Sequence, residues 1–323
     1  MADRRSPATP PVPLIVGPTG VGKSEVAVLV AERIDGEVIS ADSRAFFRGL
    51  DIATDKPHVE VRRRIPHHLI DRVEITGTYD AMAFRRDTDR LIDEISDRGH
   101  RPIVAGGGTL YVGALLHGLF AGPSADRALR RRLAALPLDA LADRLMTVDP
   151  EAAARIHPND RLRIVRALEV SELTGRPISE LQRTAAPLPH AFVLIGLRRN
   201  RDDHRNAIAA RVDRMLEAGL IGEIATLQRR GLNERCQAYR TIGVQEAVAF
   251  LAGEMTSDQL REALCHRTWA LARRQTAWFR RESGISWIDV PERDREEVAD
   301  RIVARLHAEA DREYHRADER STP

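Results

Sequence analysis

The sequence predicts an α/β protein: a parallel sheet flanked by helices, interrupted by an all-helical insertion. Three observations predict it. Short apolar runs alternate with helix-periodic stretches along residues 12–123, residues 124–188 hold no strand candidate, and strand character returns at residues 192–197. Alternation of this kind needs helical crossovers between parallel strands.

Residues 12–16 form an apolar run, followed by a glycine-rich loop and a stretch with Val26, Leu29, Val30 and Ile34 at helical spacing. This is a strand, loop and helix. Residues 37–41 read as a second strand ending at Asp42, Leu91 to Ile95 belong to a helix, and residues 102–105 form a third strand running into Gly106, Gly107 and Gly108. From 124 to 188 the chain is rich in Ala, Leu and Arg and is punctuated by Pro137, Pro150, Pro158 and Pro177, which predicts several helices. The strand at 192–197 returns the chain to its parent sheet. Helices are expected over 202–230, 244–252 and 257–281, with a last short strand at 285–290 and a charged helix and frayed tail beyond Pro291.

The resulting division is a disordered N-terminus at 1–11, an α/β core at 12–123 and 191–290, a helical insertion at 124–190 and a charged C-terminal tail at 291–323. A chain of 323 residues can bury a substantial core. Cys236 and Cys265 lack the number and spacing of a disulfide framework or a metal site, which suits a reducing compartment. The first residues carry Arg4 and Arg5 but prolines where a signal peptide needs an apolar stretch, and no run approaches the ~20 apolar residues of a membrane span. A cytoplasmic protein, in contact with no membrane and monomeric, is the expectation.

The formal net charge is +2, so total charge decides little. The choice of cation says more. Among 50 lysines and arginines, only Lys23 and Lys56 are lysines. Lys23 closes Gly17-Pro18-Thr19-Gly20-Val21-Gly22-Lys23-Ser24, which satisfies G-x-x-x-x-G-K-[ST] between a strand and a helix. Such a loop turns backbone N–H groups and a helix N-terminus on a diphosphate or triphosphate, Lys23 adds a point charge, and the Ser24 hydroxyl can ligate Mg²⁺. The fold expected is therefore P-loop NTPase-like. The loop alone suits a small-molecule kinase or an ATPase equally well.

In an open parallel sheet, ligands collect outside the carboxyl ends of the strands. The phosphate loop, Asp42 and the glycines 106–108 with Thr109 all lie at such ends. Asp42 could hold Mg²⁺ through water, act as a general base, or cap the turn before Ser43. Three glycines suit close approach of a substrate. On the helix expected at 257–281, Arg267, Arg274 and Arg281 recur beside Leu264, Leu271 and Trp278, a basic stripe next to an apolar seam.

Beyond the loop, the chain carries Ser40-Ala41-Asp42-Ser43, Arg48-Gly49-Leu50-Asp51-Ile52 with Lys56-Pro57, Pro66-His67-His68-Leu69-Ile70-Asp71, and Leu110-Tyr111. These are followed by Pro123-Ser124-Ala125-Asp126, His157-Pro158-Asn159-Asp160, Arg166-Ala167-Leu168-Glu169-Val170, and Arg274-Gln275 with Trp278-Phe279-Arg280. In this order they resemble the tRNA dimethylallyltransferases, also called tRNA isopentenyltransferases, from about Val12 to Asp289. The resemblance implies dimethylallyl transfer from dimethylallyl diphosphate to the N6 amine of the adenosine 3′-adjacent to the anticodon, with release of diphosphate. The insertion would then help to clasp the anticodon stem-loop of tRNA.

It further implies Asp42 as the base, with Lys23 and Arg240 stabilising the departing diphosphate beside Mg²⁺ at Ser24. RNA contacts carried over by the resemblance are Asp42, Ser43, Arg44, Ala45, Gly108, Thr109, Arg130, Leu162, Arg163, Ile164, Val165 and Arg166. The chain departs from the family pattern at Ala45, Phe47, Val244 and Trp269. Gly108 stands where the family has a substrate-contacting Thr, and Thr109 brings the hydroxyl one residue later. A divergent member is therefore expected. Transfer to free adenine nucleotides, as in adenylate isopentenyltransferases, a kinase reaction, and RNA binding without catalysis are the alternatives.

Overall fold

A computed structural model describes residues 10–291 and 294–319 of the chain. Of the N-terminus expected to be disordered at 1–11, residues 1–9 lie outside the described residues, as do the last four of the chain, whereas Pro11 is buried and its carbonyl accepts from Arg101. The chain divides into two compact units, one made of residues up to Val112 and from Pro189 onward, the other of Gly113–Leu188.

The larger unit opens with β1 (Val12–Val16), α1 (Lys23–Ile34) and β2 (Gly36–Ser40), and continues with α2 (Val59–Arg64), β3 (His67–His68), α3 (Ala81–Asp97), β4 (Arg101–Gly106) and α4 (Thr109–Leu116), which runs into the second unit. All five residues of β1 are buried, because a parallel strand covered on both faces reads as an unbroken apolar run. β3 was not expected. It is two polar residues long, too short to show a period, and only its pairing with Val38 and Ile39 of β2 defines it.

The smaller unit consists of α5 (Arg127–Ala134), α6 (Leu138–Val148), α7 (Pro150–Arg155), α8 (Arg161–Thr174) and α9 (Ile178–Gln182), with no strand among its described residues. Its prolines set helix starts: Pro137 and Pro177 are N-caps, and Pro150 occupies the first turn of α7. Proline is tolerated there because the first N–H groups of a helix have no partner within it. Leu129, Leu133, Leu141, Leu145, Ile164 and Leu168 form a core belonging to this unit.

The larger unit resumes with β5 (Phe192–Arg198), α10 (Arg201–Glu217), α11 (Leu220–Arg229), α12 (Val244–Leu251), α13 (Ser257–Phe279), β6 (Ser286–Asp289) and α14 (Arg295–Glu319). The helix expected over 202–230 is two helices, parted at Gly219, whose φ of 96° interrupts the first. Six parallel strands in the order β3-β2-β4-β1-β5-β6 make the sheet, with Leu14 of β1 opposite Val104 of β4 and Leu194 of β5.

The C-terminal segment, read from its charge as a tail, is part of the core. Val298, Ile302 and Leu306 recur on one face of α14 and are buried with Val26, Val30 and other residues of α1. The charge lies on the opposite face, which a count of composition does not resolve. No described helix is long and apolar enough to cross a membrane.

Candidate functional site

The loop from Gly17 to Ser24 leaves the central strand and enters α1 through Gly22, whose φ of 99° is left-handed and strained for any residue with a Cβ. Lys23 Nζ donates to the Pro18 carbonyl at 2.7 Å and so closes the loop on itself. Beside it is a cavity of about 340 Å³, lined from the loop by Thr19, Gly20, Gly22, Lys23 and Ser24. Gly17, Pro18 and Val21 are not among its lining residues; Val21 points into the core. Ser40 and Asp42 from the end of β2, and Gly106 and Gly107 from the end of β4, face the same cavity.

Burial lowers the Lys23 pKa to about 7, opposed by the attraction of Asp42 and reinforced by Arg211. Asp42 is exposed, and its Oδ1 accepts the Arg44 backbone N–H at 2.8 Å. Turn capping and presence in the cavity thus coexist in one carboxylate. Arg44 donates to the Gln237 carbonyl at 3.0 Å, and Gln237 in turn exchanges two 3.0 Å bonds with the backbone of Tyr79. Burial holds the Arg44 guanidinium below its ordinary value, with Arg240 adding to the effect, which sets Arg240 near Arg44 and outside the cavity lining. Ser43 is half-buried and Ala45 is buried.

A Cβ on any of the glycines at the end of β4 would press on the protein's own atoms, while Gly106 and Gly107 also line the cavity. A Cβ on Gly108 would stand 2.7 Å from the Ala41 carbonyl oxygen, to which the Gly108 N–H also bonds at 3.2 Å. Thr109 begins α4 half-buried. The apolar departures at Ala45, Phe47 and Val244 are all buried, the last two in the cluster formed with α10 to α13.

Three side chains from the C-terminal half hold Thr19. Gln275 Oε1 accepts its amide at 2.8 Å, His204 Nε2 meets its carbonyl at 2.8 Å, and Arg211 Nη1 reaches its hydroxyl at 3.2 Å. A carbonyl only accepts, so Nε2 of His204 carries the proton; burial lowers the pKa of this histidine and keeps the ring neutral. Gln275 also donates to the Gly107 carbonyl at 2.6 Å, joining the ends of β1 and β4. Arg199, Arg211, Arg214 and Arg295 add positive charge to the cavity. Sequence reasoning missed all four, because the turn after β5, α10 and α14 carry no local motif and lie far along the chain from the loop.

The lysines play different parts. Lys56 is a buried cation satisfied by Asp51 at 2.8 Å, Asp71 at 2.7 Å and the Phe47 carbonyl at 2.7 Å, and so pins two loops together. Ser24, Asp42, Thr54 and Asp55 place hard oxygen donors around one end of the cavity, a donor set that fits Mg²⁺.

In the helical unit, Glu169 is fully buried and receives two bonds from Arg130, at 2.8 and 2.9 Å, one from Arg166 at 2.5 Å and the Asp126 amide at 2.9 Å. Leu162 is 80% exposed and Arg163 is exposed, whereas Ile164 and Val165 bury their side chains in the unit's core. On α13 the expected stripe is partly consumed: Arg267 pairs with buried Glu246. The buried face runs through Leu260, Leu264, Thr268, Ala272, Gln275 and Phe279, leaving Leu271 and Trp278 half-buried at its edge. A seven-residue spacing drifts off a straight helix of 3.6 residues per turn.

The sequence pattern of the IPP transferases matches residues 45–282. The tRNA dimethylallyltransferase 2 of Geotalea uraniireducens is 44% identical over 285 residues, covering 86% of this chain and 92% of its own. The tRNA dimethylallyltransferase of Alkalilimnicola ehrlichii is 44% identical over 306 residues, covering 92% of this chain and 96% of its own. The crystal structure of the tRNA isopentenylpyrophosphate transferase of Bacillus halodurans aligns with a TM-score of 0.69 at 37% identity, over 95% of this chain and 100% of that one. A eukaryotic dimethylallyltransferase acting on tRNA aligns with a TM-score of 0.76 at 28% identity, over 88% and 75%.

Proposed function

The chain belongs to the IPP transferase family, and from that premise we propose that it transfers a dimethylallyl group from dimethylallyl diphosphate to the N6 amine of the adenosine 3′-adjacent to the anticodon of tRNA. One observation carries the reading: Lys23 and Asp42 line a single cavity at the carboxyl end of the sheet. A phosphate-binding cation and a carboxylate are thereby within reach of one substrate pair.

The adenine amine is a weak nucleophile, because its lone pair is delocalised into the ring. As the N6–C1 bond forms, Asp42 takes the amine proton, and the allylic C–O bond breaks with its electrons passing to diphosphate. Lys23 and the α1 N-terminus stabilise that developing charge, with Arg240 as a further donor. Ser24, with Asp42 and Asp55 through water, would hold Mg²⁺, which when bound supplies further charge neutralisation at the leaving group. The target base must leave its stack to react. Arg130, Leu162, Arg163 and Arg166 are proposed to hold the anticodon stem-loop, with Ile164 and Val165 contributing through their backbone only; Ser43, Arg44, Ala45, Gly108 and Thr109 are proposed to lie near the reacting base. Action as a monomer in the cytoplasm belongs to the same reading.

Incubation with labelled dimethylallyl diphosphate and unmodified tRNA should yield labelled tRNA. Asp42→Ala should lower the rate by ~10²–10⁴. Label in AMP but not in tRNA, or γ-phosphate transfer from ATP without prenyl product, would refute the assignment.

A further inference from the structure

The C-terminal helix brings a cation to the phosphate loop. Arg295 is the first residue of α14, and it lines the cavity together with Lys23 and Ser24. Its Nε would stand 3.2 Å from a Cβ on Gly22, so its guanidinium lies against the turn that leads into α1. We propose that Arg295 is a diphosphate-binding residue of this enzyme, engaging the leaving group from the side of α14. The inference rests on the cavity being the diphosphate site.

Two physical arguments carry it. The first is charge: the cavity gathers Lys23, Arg199, Arg211, Arg214 and Arg295 against the carboxylates Glu25, Asp42 and Asp55. Placing an arginine at the first position of a helix is itself unfavourable, because that end carries the positive pole of the helix dipole. Here the same guanidinium also faces the start of α1. An anion between the two relieves both costs.

The second is geometry. In this structure Arg295 is held by one ion pair, from its solvent-shielded Nε to the Glu25 carboxylate. Glu25 itself is 60% exposed at the rim. A planar guanidinium resting on a single solvated carboxylate can exchange it for the oxygens of a diphosphate, which match its fork of donors. Released pyrophosphate carries more negative charge than the ester it came from, so the contact strengthens as the C–O bond breaks. Arg295 therefore contributes to kcat as well as to binding.

The test is calorimetric titration of the full chain with inorganic pyrophosphate in the presence of Mg²⁺, comparing wild type, Arg295→Ala, Arg295→Lys, Glu25→Gln and Lys23→Ala. Arg295→Ala should bind about tenfold more weakly, the loss of one charge-assisted contact. Arg295→Lys should fall between, and Glu25→Gln should bind more tightly than wild type, an effect that no general loss of structure produces. Unchanged affinity in Arg295→Ala with a marked loss in Lys23→Ala would overturn the role of Arg295 and leave the diphosphate site standing. Absence of pyrophosphate binding in the wild type would overturn both.

Discussion

The carboxamide of Gln275 accepts the Thr19 amide at 2.8 Å, so a residue of α13 holds the phosphate loop some 256 positions earlier in the chain. The same carboxamide donates to Gly107 at the end of β4 and is almost completely buried. One side chain thus sets the spacing between the glycine-rich loop and the strand end that borders it.

Replacing Gln275 by Ala should cost about 1–3 kcal/mol, since a buried N–H and carbonyl lose their partners. Thermal unfolding measures that loss. Steady-state kinetics should show a raised KM for dimethylallyl diphosphate together with a lower kcat. Gln275→Glu removes the donor to Gly107 and should be no better than Gln275→Ala. Wild-type kinetics in either variant would show that the bridge does not position the loop.

Lys23 gives the cavity a pH dependence of definite sign. Its pKa of about 7 in the free protein lies below the ordinary lysine value of 10.5. Below pH 7 the amine is charged in both folded and unfolded chains; between pH 7 and 10.5 the unfolded chain binds the extra proton. Lys23 therefore makes stability rise with pH across that window. Anion binding needs the charged amine, so pyrophosphate affinity should fall as pH rises above 7. Calorimetry at pH 8 in buffers of different ionisation enthalpy should show proton uptake on binding, and Lys23→Ala should abolish that uptake.

Glu169 should govern both the stability and the RNA affinity of the helical unit. Burial pushes its pKa up, but Arg130, Arg166 and the Asp126 amide carry it below the usual value. The stabilisation is thus present above pH ~4.5 and lost as pH falls through the depressed pKa. Glu169→Gln should cost about 1–3 kcal/mol, less than the roughly 3–5 kcal/mol of a fully buried broken pair because both arginines are partly exposed. A filter-binding assay should show weaker tRNA binding with pyrophosphate affinity intact. An unchanged tRNA affinity would mean that Arg130 and Arg166 serve the fold alone.

Gly108 should resist reversion to the family's Thr. Its Cβ would press on the Ala41 carbonyl oxygen at 2.7 Å, a backbone atom at the end of β2 that cannot swing aside. Gly108→Ala should destabilise by about 1–3 kcal/mol, as other overpacked substitutions do. Gly108→Thr should lower activity instead of raising it. A more active Gly108→Thr would show that the two strand ends can separate at little cost.

Much of the sheet and the loop was legible because local rules suffice for them. Apolar runs mark β1 and β5, and the loop signature is contiguous from Gly17 to Ser24. Elements set by pairing or packing alone were not. β3 is defined by its partner, the break at Gly219 interrupts an otherwise helical stretch, and α14 hides a narrow apolar face within a charged composition.

By itself the sequence determined the α/β class, the glycine-rich loop between β1 and α1 and the residues of Asp42's turn, since each depends on backbone geometry within a few neighbouring residues. Only the tertiary structure decided that Gln275, His204 and Arg211 converge on Thr19, that Arg295 faces Gly22, and that Glu169 gathers Arg130 and Arg166. The physical reason is that a polar side chain on a buried helix face takes its meaning from whichever donor or acceptor the packing brings opposite it. No spacing along the chain encodes that partner.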